Sequence, residues 1–224
     1  MKLSRIFVLL LALCLMTSAA CASTFTDAHG NTIELDDSLE AYTAVTLVGA
    51  NDAARQGETN LGDLWADALR WFAVSGEINA AFDEDDVKAG NDHIAVDVDH
   101  VVALWNGGNL RADIAEGTFG AEALAEVLPF PNKVAVVYMS GAQLLEALEA
   151  ASQALPYTAE TADACASLMQ VSGLTYTVDT TKAYDALEAY GDHWFTAGSV
   201  SRVSIADVNG QPFDADATYA VVTS

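Results

Sequence analysis

Trp105–Ile114 reads WNGGNLRADI, and it follows the apolar run Val101–Leu104, VVAL. The run predicts a strand, and two glycines flanked by asparagines predict a tight turn at its end. An arginine then follows in a chain that has only 9 Lys and Arg against 32 Asp and Glu. On local evidence the segment is a turn with a surface Arg111 paired to a nearby Asp. The alternative, which local evidence alone does not favour, is a loop whose glycines admit close backbone approach and whose planar guanidinium suits carboxylate or phosphate.

Outward from this turn, strands and helices alternate without a regular βαβ rhythm. Ala44–Ala50 reads as a strand, and Asn60–Val74 as an amphipathic helix with Leu61, Leu64, Trp65, Ala68, Leu69 and Phe72 on one face and Asp63 and Asp67 off it. Ala121–Val127 reads as a short helix and Lys133–Met139 as a strand. Ser140 and Gln143 form a capping box for a helix carrying Leu144, Leu145 and Leu148. Met169–Asp179 alternates as one strand, and two further strands join across Asn209-Gly210. The expected fold class is α+β, with mixed sheets flanked by helices.

Composition narrows the functional classes. Apolar residues make up 52% of 224, enough for a folded core. Residues 1–22 have the layout of a secretory signal peptide: Lys2 and Arg5, an apolar run from Ile6 to Met16, and Ala20-Cys21-Ala22. Export is the expectation, to the periplasm, cell surface or medium, by cleavage after Ala22. Lipid attachment at Cys21 is the alternative, and the one route to a membrane; Ser18 stands where a lipobox usually has Leu. Removing Lys2 and Arg5 leaves 7 basic against 32 acidic residues, a charge of −25. Such a surface repels nucleic acid polymers and anionic membranes. Cys165 then remains without a disulfide partner and is expected to be structural.

Residues 23–43 form a hairpin or linker, with Gly30-Asn31 as the turn. Arg55 stands just before the amphipathic helix, whose N-terminus also favours anions; the plain alternative is pairing with Glu58 or another carboxylate. Phe130, in the stiff LPFPN loop, is either core or a platform for a flat ring. The acids near Asp83–Asp86 with His93, Asp97, Asp99 and His100 match no standard metal spacing and read as solvated charge.

Four stretches in order, RQGETNLGDLWADALRW (55–71), ALWNGGNLRADIAEGTF (103–119), EVLPFPNKVAVVYMSGAQLLEALE (126–149) and QVSGLTYTVD (170–179), resemble the C-terminal domain of the 5′-nucleotidase family. The family includes UDP-sugar hydrolases and 2′,3′-cyclic phosphodiesterases, and the resemblance covers 44–224. It implies a domain that binds the nucleoside part of a nucleotide and presents the phosphate to a separate metallophosphatase domain holding two divalent metals. The substrate ligands it implies are Arg55, Asn106, Gly108 and Arg111, with Phe130 stacking on the base. No residue of this chain is assigned catalysis or metal ligation, and no cofactor is expected in it; a separate metallophosphatase chain is the expected partner. The family's pattern departs at Asn109 and Pro131. The family also continues into a Gly-Gly-Asp-Gly segment with a second aromatic; with the ending TYAVVTS, a stand-alone domain and a C-terminally truncated one are both open readings. Asp27-Ala28-His29-Gly30 echoes the opening of the metal domain but is read as a hairpin. The competing readings are a fragment without ligand function, a hydrolase using Asp27, His29, His93 and His100, and a module of an uptake system.

Overall fold

A computed structural model describes residues 23–26, 32–35, 40–81, 90, 93–190 and 194–224. The expected signal peptide, the 27–31 turn with Asp27 and His29, and Asp83–Asp86 lie outside the described residues.

In chain order the elements are β1 (Ser23–Thr26), β2 (Thr32–Leu35), β3 (Glu40–Thr43), α1 (Asn51–Gln56), α2 (Asn60–Val74), β4 (Val101–Asn106), β5 (Gly117–Gly120), α3 (Ala121–Val127), β6 (Ala135–Ser140), α4 (Gly141–Ala151), β7 (Met169–Ser172), β8 (Leu174–Val178), β9 (Ala186–Tyr190), β10 (Trp194–Ala197), β11 (Val203–Val208), β12 (Gln211–Pro212) and β13 (Thr218–Thr223). The architecture is α+β. A four-stranded mixed sheet, β6-β13-β4-β7, pairs β13 parallel to β4 and antiparallel to β6, with β7 antiparallel to β4. A three-stranded antiparallel sheet, β12-β11-β8, and the pairs β1-β2, β3-β5 and β9-β10 complete it.

β4 is the axis of this arrangement. Its run VVALW is buried on both faces, so the pattern is continuous rather than alternating. Val101, Ala103 and Trp105 pack with Leu61, Ala66 and Leu69 of α2, while Val102 and Leu104 pack with Leu144 and Leu148 of α4 and Val203 and Ile205 of β11. The mixed sheet is therefore sandwiched, α2 on one side and α4 with the three-stranded sheet on the other. Each large apolar side chain removed from water contributes about 1.5–3 kcal/mol.

Several local expectations hold and three are corrected. α2 spans the expected residues, and the Ser140–Gln143 capping box is formed in both directions. Ala44–Ala50 is not a strand; it makes one bridge, Leu47 to Ile114. Side chains take its backbone groups instead. Asn60 Oδ1 accepts from Val48 N at 2.6 Å and Asn60 Nδ2 donates to Thr46 O at 3.0 Å. Asp113 Oδ1 accepts from Gly49 N and Ala50 N, both at 2.8 Å.

Met169–Asp179 is two strands, not one. Gly173 at φ 82° breaks it, and a Cβ there would crowd Val101 O at 2.9 Å. β7 then pairs with β4, and β8 with β11 in the other sheet. The turn at Asn209-Gly210 is present, both residues having positive φ, but it joins β11 only to the short β12; β13 crosses to the mixed sheet.

α4 is locked by two buried charges. Glu149 is 0% exposed, and its carboxylate accepts from Arg202 N at 3.0 Å and Val203 N at 2.8 Å. The Arg202 guanidinium donates to the carbonyls of Ser152, Gln153 and Leu155 at the end of the helix. Glu149→Ala leaves these backbone N–H groups buried and unpaired, and is expected to cost about 3 kcal/mol. A lowered urea midpoint at unchanged m-value checks it, with Glu149→Gln losing less because one acceptor oxygen remains.

Candidate functional site

The loop after β4 opens with Asn106 and continues as a 3-10 turn, Gly107–Asn109. Both glycines are required by the protein itself. A Cβ on Gly107 would overlap the carbonyl oxygen of Ala54 in α1, and one on Gly108 would lie 2.5 Å from the Ala166 Cβ. The turn is thus wedged between α1 and the 3-10 turn Ala164–Ser167. Gly107 N donates to Leu168 O at 2.7 Å and Asn106 Nδ2 to Ala166 O at 3.3 Å.

Arg55 belongs to the same junction. It sits in the last turn of α1, not at the N-terminus of the amphipathic helix, because a separate short helix forms ahead of it. Its guanidinium is largely buried and turns toward the 162–166 segment, donating to Ala162 O at 3.0 Å and pairing with Asp163 at 3.3 Å. Asp163, rather than Glu58, is its carboxylate partner. Arg55, Asn106 and Gly108 therefore converge on the 162–166 segment, which occupies them.

Arg111 and Phe130 form a second group on the surface. Arg111 N donates to Val127 O at 2.9 Å and its Nη1 to Gly108 O at 2.9 Å. The guanidinium carbon lies 5.4 Å from the centroid of the Phe130 ring, a cation–π pair. Phe130 is 47% exposed and not core. A cation and an aromatic face are thus held side by side on the 106–111 and 128–132 loops, a combination suited to a flat, anionic ligand.

Gln170, which sequence reasoning does not single out, organises the first group. It is buried, and its amide is fully engaged. Oε1 accepts from Thr59 N at 2.9 Å and Thr59 Oγ1 at 3.2 Å; Nε2 donates to Ala54 O at 3.1 Å and Gly57 O at 2.9 Å. Thr59 caps α2 by accepting from Gly62 N at 3.1 Å. A Cβ at Gly62 would overlap the Gln170 side chain. A polar residue alternating into a buried strand face is the signal in the sequence that marks it.

Two acids of α2 are also not plain surface charge. Ser172 Oγ donates to Asp67 Oδ1 at 2.6 Å. Burial and the neighbouring Glu58 carboxylate push Asp63 up to about 7. Asp97 Oδ2 and His100 Nδ1 are 2.9 Å apart and close a local turn. Among the described residues no three His, Cys, Asp or Glu side chains are grouped as a metal site, and no helix is long and apolar enough to cross a membrane. Cys165 is buried, with Sγ 3.5 Å from Ala154 O.

The family model for the C-terminal domain of 5′-nucleotidase matches residues 38–224. The chain belongs to the 5′-nucleotidase C-terminal domain family. Its N-terminal limit in that match includes β3, which pairs with β5. The trifunctional nucleotide phosphoesterase protein YfkN of Bacillus subtilis (strain 168) is 32% identical over 108 residues, 48% of this chain and 6% of that protein. The crystal structure of a 5′-nucleotidase precursor from Thermus thermophilus superposes with a TM-score of 0.56 at 29% identity, covering 84% of this chain and 29% of that one. A putative 5′-nucleotidase from Staphylococcus aureus is similar at 16% identity and a TM-score of 0.46, over 89% of this chain and 39% of that one. The chain thus spans a small part of the length of these 5′-nucleotidase relatives.

Two outcomes are expected from this geometry. Gly107→Ala is expected to cost about 1–3 kcal/mol by overpacking against α1, seen as a lowered melting temperature; a glycine kept only for ligand approach would leave the melting temperature unchanged. For Asp63, the folded carboxyl binds its proton up to about pH 7 and the unfolded one only to about 3.8. Folded stability contributed by this group therefore falls as pH rises through that window. Asp63→Asn is expected to match the wild type near pH 3, below the ordinary carboxyl value of 3.8, and to melt higher than it at pH 8.

Proposed function

We propose that this 5′-nucleotidase C-terminal domain is an exported nucleotide- or nucleoside-recognition module acting in nucleotide catabolism. The observation that carries the reading is the exposed Arg111–Phe130 pair on two of the family's motif loops. The Phe130 ring offers a stacking surface for a base, and Arg111 a fixed cation for the ligand's phosphate or hydroxyls. The phosphate ester would be cut by a two-metal metallophosphatase domain, supplied by another domain or chain, so that the role of these residues is to hold and orient substrate. Export is supported by the arrangement of residues 1–22, with membrane attachment following only from lipidation of Cys21.

In this reading Arg111 and Phe130 are the first contacts, while Arg55, Asn106 and Gly108 shape the loop behind them. The engagement of those three by the 162–166 segment favours a second reading, in which the motifs serve the fold alone. Calorimetric titration of the folded protein with AMP, adenosine and UDP-glucose separates the two. Saturable heat is expected with at least one nucleoside ligand. Phe130→Ala should lose about 1–3 kcal/mol of binding, the usual worth of a stacked base. Arg111→Ala should weaken AMP more than adenosine. No heat from any of the three ligands would leave only the structural reading.

A further inference from the structure

A cavity of about 540 Å³ opens between the residues after α1, the 155–157 segment and strands β7 and β8. None of Arg55, Asn106, Gly108, Arg111 or Phe130 lines it. Its size is that of a small-molecule site. Leu155, Leu168 and Val171 give it an apolar wall, and two tyrosines contribute rings. Both rings are anchored at their hydroxyls: Tyr176 donates to Met169 O at 3.0 Å and Tyr157 to Asp52 Oδ1 at 3.1 Å. Among the described residues Glu58 is the single charged residue of the lining, and none of them there is basic.

We propose that this cavity binds an organic ammonium, its charged head beside Glu58 and the tyrosine rings and its apolar body against the leucine and valine wall. An anion has no cationic partner among the described lining residues and meets the Glu58 charge, which disfavours nucleotide phosphates. A cation gains both the carboxylate and the ring quadrupoles, the chemistry by which aromatic cages hold ammonium groups. Burial and the nearby Glu58 carboxylate push the Tyr176 hydroxyl up to about 12, so this ring stays neutral beside the cation. The overall charge of −23 would concentrate such ligands near the mouth. Ammonium binding here is independent of the nucleoside reading, and failure of AMP to bind leaves it standing.

The test is a titration of the ¹⁵N-labelled full chain with phenethylammonium, its neutral analogue 2-phenylethanol, and phenylacetate, followed by NMR shifts. Saturable shifts are expected at Gly57, Glu58, Gln170 and Tyr176, with the ammonium about fivefold tighter than the alcohol, the worth of one partly exposed charge pair, and no binding of phenylacetate. Glu58→Gln, at an exposed position and with folding checked by circular dichroism, should bring the ammonium down to the level of the alcohol. Equal affinity for ammonium and alcohol in the wild type, a preference that survives Glu58→Gln, no shifts at these amides, or unsaturating shifts spread over the acidic surface would each overturn the proposal.

Discussion

The carboxamide of Gln170 is the constraint on which the loops of this domain depend. It is a buried polar group, and such a group is tolerated only when its hydrogen bonds are made. Its four bonds reach the end of α1, Gly57 and the cap of α2, so these successive turns of chain are held in one register against β7. Ala54 O, one of its acceptors, is also the atom against which Gly107 must lie without a side chain. The motifs RQGETNLG, NGGNLR and QVSGL therefore meet at one node. Their glycines and polar residues satisfy one another before any ligand enters.

The four arginines of the described residues show the same economy. Arg55, Arg70, Arg111 and Arg202 all donate to backbone carbonyls. In a chain of charge −23 one would look for each cation on a carboxylate. Arg55 has one in Asp163, yet that side chain is fully exposed and the shorter bond goes to the carbonyl of Ala162. A guanidinium carries several donors in a fixed fork, so it can close loop ends and helix C-termini that expose orphan carbonyls. Scarcity of arginine is thus compatible with structural use. What distinguishes Arg111 is its place over an exposed aromatic ring.

Much of this was legible in the residues. The strongly periodic α2, the reciprocal Ser140–Gln143 cap and the doubly apolar β4 all rest on interactions within a few residues or on a continuous pattern, and local sequence carries those. The 44–50 segment was not legible as a loop, because its composition is strand-like and the groups that replace its ladder, Asn60 and Asp113, come from elsewhere in the chain. The direction of Arg55 was equally hidden. Whether it faces a ligand or the 162–166 segment depends on a contact more than a hundred residues away.

The amino-acid sequence by itself determined the α+β class, the family through four ordered motifs, the acidic balance and the identity of the loops that flank the candidate site. Tertiary structure alone decided which of the motif residues face outward. It split 169–179 between two sheets at Gly173, placed Arg55, Asn106 and Gly108 against the 162–166 segment, left Arg111 on Phe130 at the surface, and formed the Glu58 cavity. The physical reason is that side-chain direction and burial are set by long-range packing and by the need to satisfy every buried polar group, conditions that no local run of residues contains.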